Sequence, residues 1–313
     1  MSDTTNKKYR LVTRSDFDGL VCAVLLNELE MIDDILFVHP KDMQDGKIEI
    51  NDHDITTNLP YVAGAYLAFD HHLSETLRNE GERKNHIIDP AAPSAARVVY
   101  DYYGGKERFA NISDEMMLAV DKADSAEFTR DEILNPTDWV LLNYLMDART
   151  GLGRFRSFTI SNYQLMMDLI EYCQNHSIEE ILQLPDVVER IELYHEHAPL
   201  AKEQIKRCSR IYDNLVILDL REEDTIYATN RFMVYAMYPQ CNISIHVMWG
   251  VQQRNTVFAT GKSIINRSSQ TNIGALMLEY GGGGHENAGT CQINNDDVDN
   301  KLREITLKIT SEG

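Results

Sequence analysis

Residues 61–69 form an apolar run that ends at Asp70-His71-His72. An acid and two imidazoles do not belong inside a buried strand. The end of a strand accepts them, and in open α/β sheets ligands bind at the carboxyl ends of the strands. A second short run, Tyr9-Arg10-Leu11-Val12-Thr13, leads into Asp16-Phe17-Asp18-Gly19. Two strands that deliver acids to one edge of one sheet must run the same way, and parallel strands need helical crossovers between them. Carboxylate and imidazole side by side are the ligand types of a catalytic transition metal.

The rest of the first half keeps this rhythm. Residues 20–30 read as an amphipathic helix, and residues 35–38 and 47–50 as strands, the second ending in Asn51-Asp52-His53-Asp54. Residues 86–88 read as a strand stopped by Asp89-Pro90, and residues 95–103 as a helix closed by Gly104-Gly105. From residue 113 to about 210 the pattern is helical, over 138–147, 163–173, 178–184 and a long charge-laced stretch, 187–210. Strands follow at 215–218, 243–248 and 256–260, and a helix at 272–280. The expected architecture is α/β in two domains: a parallel sheet with helices on both faces over residues 1–195, a helical connector over 196–212, and a smaller α/β domain over 213–313.

A chain of 313 residues is long enough for two such domains, and its 49 acids against 30 bases leave a net charge of −19. That balance disfavours long nucleic acid, whose affinity comes from phosphate neutralisation by Lys and Arg. It leaves room for a small anion held by local cations and metals. Cys22, Cys173, Cys208, Cys241 and Cys291 are odd in number and widely spaced, which argues against a disulfide framework or zinc finger and for the cytoplasm. Residues 1–8 are polar rather than secretory, and no run of 18 apolar residues predicts a membrane span.

Asp16 and Asp18 are two apart, so an extended backbone turns both carboxylates to one side, and Gly19 allows a tight turn. Either acid could equally cap the following helix. Asp52 and Asp54 flank His53 and read as further ligands or as a polar turn; Asp121 and Asp124 read as ligands or as an ordinary helix end. The run Gly281-Gly282-Gly283-Gly284-His285 follows a helix, so it is neither a P-loop nor a dinucleotide fingerprint. Such a loop can turn N–H groups to an anion or let a substrate approach. Arg267, in Asn266-Arg267-Ser268-Ser269, suits a phosphate clamp. His195 and His197 read as solvated, and Met166, Met167, Tyr100, Tyr102 and Tyr103 as core.

The set Asp16-Phe17-Asp18-Gly19, Asp70-His71-His72, Asp124-Ser125-Ala126-Glu127-Phe128 and Gly281–Gly284-His285 resembles the DHH phosphoesterase superfamily with its associated C-terminal domain, in that family's motif order. The resemblance is to RecJ-like, oligoribonuclease/pAp phosphatase and exopolyphosphatase-related members, and it implies an active site in the cleft between two domains. It implies a manganese site of two ions ~3.5–4 Å apart, with magnesium or cobalt as substitutes, that activates water. By the same resemblance Asp16, Asp18, Asp54 (or Asp52), His71 and Asp124 are the ligands, and Asp70 and His72 support catalysis. Arg267, Ser268, Gly282, Gly283, Gly284 and His285 hold the substrate. Arg14 stands where many relatives carry a ligating His; it is read as a substrate contact, which leaves the second ion the weaker. The expected function is manganese-dependent hydrolysis of short nucleotides, namely oligoribonucleotides, pAp or linear dinucleotides. The alternatives are exopolyphosphatase or pyrophosphatase chemistry, and a non-catalytic metal or nucleotide sensor. The expected partner is a small phosphorylated molecule rather than long nucleic acid or membrane, and a homodimer is compatible with this.

Overall fold

The computed structural model describes residues 7–72, 75 and 83–312; the first six residues of the polar N-terminal stretch lie outside them. The chain divides into two compact units. The first comprises Met1–Glu127, Thr137–Ala148 and Gly153–Ile191, and the second Phe128–Pro136, Arg149–Leu152 and Glu192–Gly313.

Among the described residues the first unit holds a five-stranded sheet of order β2-β1-β3-β4-β5. Its strands are β1 (Tyr9–Arg14), β2 (Ile32–Val38), β3 (Asp54–Thr57), β4 (Leu67–Asp70) and β5 (His86–Ile88), and every pairing is parallel. All five carboxyl ends therefore share one edge. Helix α1 (Phe17–Glu28) follows β1 and is buried from Phe17 through Leu26. Its unbroken apolar stretch lies in the interior, where each large side chain contributes ~1.5–3 kcal/mol of transfer free energy. Helix α1 packs against α3 (Ala95–Tyr102), α5 (Asp114–Asp124) and α8 (Asn162–Asn175); α2 (Pro40–Gln44) follows β2, and α4 (Gly105–Arg108) follows α3.

One strand lies elsewhere than its pattern suggests. Residues 47–50 alternate as a strand would, yet they are irregular, and Ile48 and Ile50 pack onto Val12, Met43 and Leu59. The strand is instead Asp54–Thr57, buried throughout, with Thr57 Oγ1 donating to Thr13 Oγ1 at 2.7 Å. The apolar run at 61–69 is a strand only from Leu67.

Helices α6 (Arg130–Leu134), α7 (Asp138–Met146) and α9 (Ile178–Ile181) precede the long α10 (Pro185–Cys208). The second unit carries a mixed sheet of order β10-β11-β9-β8-β7-β6, made of β6 (Ser209–Tyr212), β7 (Leu215–Asp219), β8 (Ile243–Trp249), β9 (Thr256–Lys262), β10 (Gly283–His285) and β11 (Ala288–Ile293). Only β7 and β8 pair in parallel. Its core joins Ile243, Ile245 and Val247 to residues of α12 (Ile273–Glu279) and α13 (Val298–Glu312); α11 (Met233–Met237) precedes β8. His197, expected to be solvated, is buried, and its Nδ1 accepts a hydrogen bond from Ala228 N at 3.0 Å. No helix among the described residues is long and apolar enough to cross a membrane.

Candidate metal centre

The site is built on the carboxyl edge of the parallel sheet. Strand β1 ends at Arg14, and Asp16 takes the N-cap of α1 in an extended conformation. Its Oδ1 accepts from Gly19 N at 3.0 Å, so the capping reading holds for Asp16. Gly19 is required by packing more than by a turn: a Cβ there would lie 2.0 Å from the Arg14 carbonyl oxygen. Asp18 points inward and is almost wholly buried. Its two oxygens accept from Ala95 N at 3.0 Å and Ala96 N at 2.7 Å, the first N–H groups of α3. A helix N-terminus favours a carboxylate there.

Strand β4 delivers Asp70, His71 and His72. The Nδ1 of His71 lies 3.2 Å from the Ala92 carbonyl, which accepts from N–H, so Nε2 is the free ligand atom of the neutral ring. That Nε2 is 2.8 Å from Asp124 Oδ2, at the end of α5. One ligand atom each from Asp18, His71 and Asp124 lies within 4.8 Å of the others. Asp70 is buried, and its Oδ1 receives His71 N at 2.8 Å and the His72 ring Nδ1 at 2.7 Å. It thereby holds the His71 backbone and orients the His72 ring, and the two imidazoles meet edge to face.

The electrostatics suit a cation. Burial, then the charge of Asp124, push the Asp18 carboxyl up to about 8, against His71 and the Ala96 N–H. Burial opposes charge on His71, but its hydrogen bond to Asp124 and the charges of Asp124 and Asp18 outweigh this and raise it to about 9. Burial likewise opposes ionisation of Asp124, which His71, His72 and Arg14 nonetheless hold below the usual carboxylate range. Two carboxylates and an imidazole crowded in a dry place fit a divalent ion, which would relieve the repulsion that protons relieve in its absence.

Asp54 does not join them. It begins β3 rather than ending a strand, so it sits at the opposite edge of the parallel sheet. There it pairs with Arg10 Nε at 2.7 Å and accepts from Asn51 N at 2.8 Å. Asp52 precedes it at the same end. The residue that follows β3 on the site's edge is Asn58, with φ of 54°, whose Nδ2 donates to Asp16 Oδ1 at 3.2 Å. Asp16 Oδ2 in turn lies 2.8 Å from Arg14 Nε. Sequence reasoning also missed Ser94, which caps α3 and donates to Asp121 Oδ1 at 2.7 Å, and Arg97, which grips the same carboxylate. These tie the helix holding Asp18 to the helix bearing Asp124. The signal was present: Ser94 immediately precedes the apolar-periodic stretch, as an N-cap should.

The remaining candidates lie in the second unit. Arg267 and Ser268 are exposed, Arg267 Nε donating to the Ile264 carbonyl and Ser268 Oγ accepting from Asn242 Nδ2. Gly283, Gly284 and His285 form β10 against Thr290, Gly289 and Ala288, so the glycine run is half strand. The N–H groups of Gly281 and Gly282 return to Leu278 and Met277 carbonyls and are not available to an anion. The close approach the glycines permit is of their own backbone: a Cβ at Gly282 would lie 2.0 Å from the Thr290 carbonyl oxygen, and at Gly284 2.3 Å from that of Ala288. A Cβ at Gly283 would meet nothing within 4 Å.

No protein-family model matches the chain, and none of the curated proteins compared does. Solved structures do. The chain is 65% identical to a pGpG-specific phosphodiesterase, PggH from Vibrio cholerae, over 98% of its own length and 100% of that chain, with a TM-score of 0.87. RecJ from Thermus thermophilus, solved with Mn2+, shares the fold at 11% identity and a TM-score of 0.54, covering 98% of this chain and 52% of that one. CDC45 from Entamoeba histolytica shares it at 8% identity and a TM-score of 0.53, over 97% and 96%.

Proposed function

The chain belongs to the DHH phosphoesterase superfamily of metal-dependent phosphohydrolases, and from that premise we propose that it cleaves short linear dinucleotides of the pGpG type into mononucleotides. The observation that carries this reading is the 65% identity to a pGpG-specific phosphodiesterase over 98% of the chain. The constellation of Asp18, His71 and Asp124 supports it from the side of chemistry.

In this reading Asp18, His71 and Asp124 hold a divalent ion, manganese with magnesium or cobalt as substitutes. When bound, such an ion supplies Lewis acidity at a phosphoryl oxygen and a more acidic water. The chain's own groups do the rest. The Ala92 carbonyl fixes the His71 tautomer, and the first N–H groups of α3 hold the Asp18 carboxylate in place. Asp70 accepts the Nδ1 hydrogen bond of His72, so that Nε2 of His72 can hold a proton and pass it to the leaving oxygen. Hydrolysis adds the water oxygen to phosphorus, breaks the bond from phosphorus to the 3′ oxygen, and leaves two molecules of GMP from pGpG. In the second unit Arg267, Ser268, Gly283 and His285 are assigned to the nucleotide, and Gly282 and Gly284 to the close packing of the backbone that carries them.

A panel of pGpG, cyclic dinucleotides, pAp, pyrophosphate and polyphosphate, assayed with manganese and resolved by chromatography, tests this. The expected result is GMP from pGpG with kcat/KM at least ~10-fold above every other substrate, a discrimination of ~1.4 kcal/mol. Phosphate release from polyphosphate with pGpG left intact would overturn it.

A further inference from the structure

Resting on the metal site just described, we propose that the guanidinium of Arg14 stands in place of a second metal ion, so that this site works with one divalent ion and one fixed organic cation. The order of strands at the carboxyl edge carries the argument. Strand β3 lies between β1 and β4, so its end sits between the acids of β1 and the Asp-His-His of β4. A second ion bridged to the first would draw its own carboxylate from there. The residue present is Asn58, a neutral amide, and the acid expected for the role, Asp54, is at the other end of the strand in an ion pair with Arg10.

Asp16, the other acid a second ion would use, is already committed. Its Oδ1 accepts from Gly19 N and from Asn58 Nδ2, and its Oδ2 faces Arg14 Nε at 2.8 Å. Three donors surround that carboxylate, one of them a permanent charge. A guanidinium has no lone pair to ligate a metal and does not deprotonate. It can only replace an ion, never assist in binding one. A second ion would also sit beside that guanidinium, in a place where Asp18 is almost wholly buried and like charges repel strongly. The Arg14 side chain is 32% exposed, so it stays in reach of an incoming phosphate while paired to Asp16.

Manganese titration of the metal-free full chain tests the proposal without recourse to turnover. Equilibrium dialysis counts ions, and electron paramagnetic resonance separates an isolated Mn2+ from a spin-coupled pair. The expected result is one ion per chain with an uncoupled spectrum. The double variant Arg14→His, Asn58→Asp should then bind two and show coupling, with Asn58→Asp alone remaining at one. Two ions in the unmodified chain, coupled or not, would overturn the proposal, as would a folded double variant that still binds one. Should the double variant fail to fold, the count in the unmodified chain decides alone. The metal-site reading fails separately: no ion bound, or one ion retained unchanged in Asp18→Asn, would remove that reading and this proposal with it.

Discussion

Asp18 and Asp54 are both buried carboxylates next to strand ends, and only one of them faces the site. Asp18 is met by two backbone N–H groups, whereas Asp54 is met by a guanidinium. The two should therefore fail differently. Asp18→Asn keeps the shape and removes a ligand charge; it should weaken manganese binding at least ~100-fold, the upper range for losing even an indirect partner of a ligand. His71→Ala should do the same. Asp54→Asn should leave the manganese affinity unchanged and instead lower stability by ~1–3 kcal/mol, the cost of a half-met buried group. Calorimetric titration with manganese, paired with chemical denaturation of each variant, checks both halves. Weaker metal binding in Asp54→Asn would place that acid in the site after all. The residue scale also shows what the sequence conceals. Asp16, Asp18 and His71 could be named because acids and imidazoles beside an apolar run mark the end of a strand, whereas Asp124, at the end of a helix, could be named only through the family resemblance. Asn58 could not, because an Asn after two threonines looks like any turn residue. Its place became visible only when β3 was located.

The glycine run separates two effects that look identical in a sequence. A side chain at Gly282 collides with β11, whereas one at Gly283 meets open space. Gly282→Ala should destabilise the second unit by at least ~1–3 kcal/mol through overpacking, and Gly283→Ala should leave stability within ~0.5 kcal/mol. If Gly283 contacts nucleotide, Gly283→Val should raise KM for pGpG with an unchanged thermal midpoint. An unchanged KM would return that glycine to a purely structural role. Elements with one dominant signal were legible: β1, α1, β5, α3 and the long α10 match their patterns within a few residues. Those decided by partners were not. Residues 47–50 alternate better than Asp54–Thr57, yet the latter pair with both β1 and β4 and so win the place in the sheet. Strand β10 was hidden because glycine has poor strand propensity; it forms because β11 offers a pairing partner, whose backbone leaves no room for a side chain at Gly284.

At the scale of the whole molecule, the 49 acids against 30 bases set how the chain meets solvent and substrate. Long RNA brings many phosphates, and so acidic a surface displaces few of their counterions, so cleavage should fall steeply with chain length beyond a dinucleotide. A length series assayed at one fixed salt concentration measures this, and equal rates on dinucleotide and long oligomer would contradict it. Global stability should also depend on pH through a group outside the site. His246, on β8, is held neutral by burial, which pushes it down to about 4 from an ordinary 6.5. The unfolded chain takes up that proton near pH 6.5, while the folded chain refuses it until about pH 4. Across that window the unfolded state binds more protons, so stability falls as pH falls, by up to ~3 kcal/mol in all. Above pH 6.5 both states are neutral at this residue and its contribution is flat. Replacing His246 by Gln removes the titration and keeps a polar side chain of similar size. Urea unfolding of the unmodified chain and His246→Gln should then give parallel stabilities above about pH 7 and diverge between pH 6.5 and 4, the variant losing less. Carboxylates titrate at the lower end of the same window in both proteins and cancel in the difference. Curves that stay parallel down to pH 4 would mean that His246 takes up its proton in the folded chain as readily as in the unfolded one.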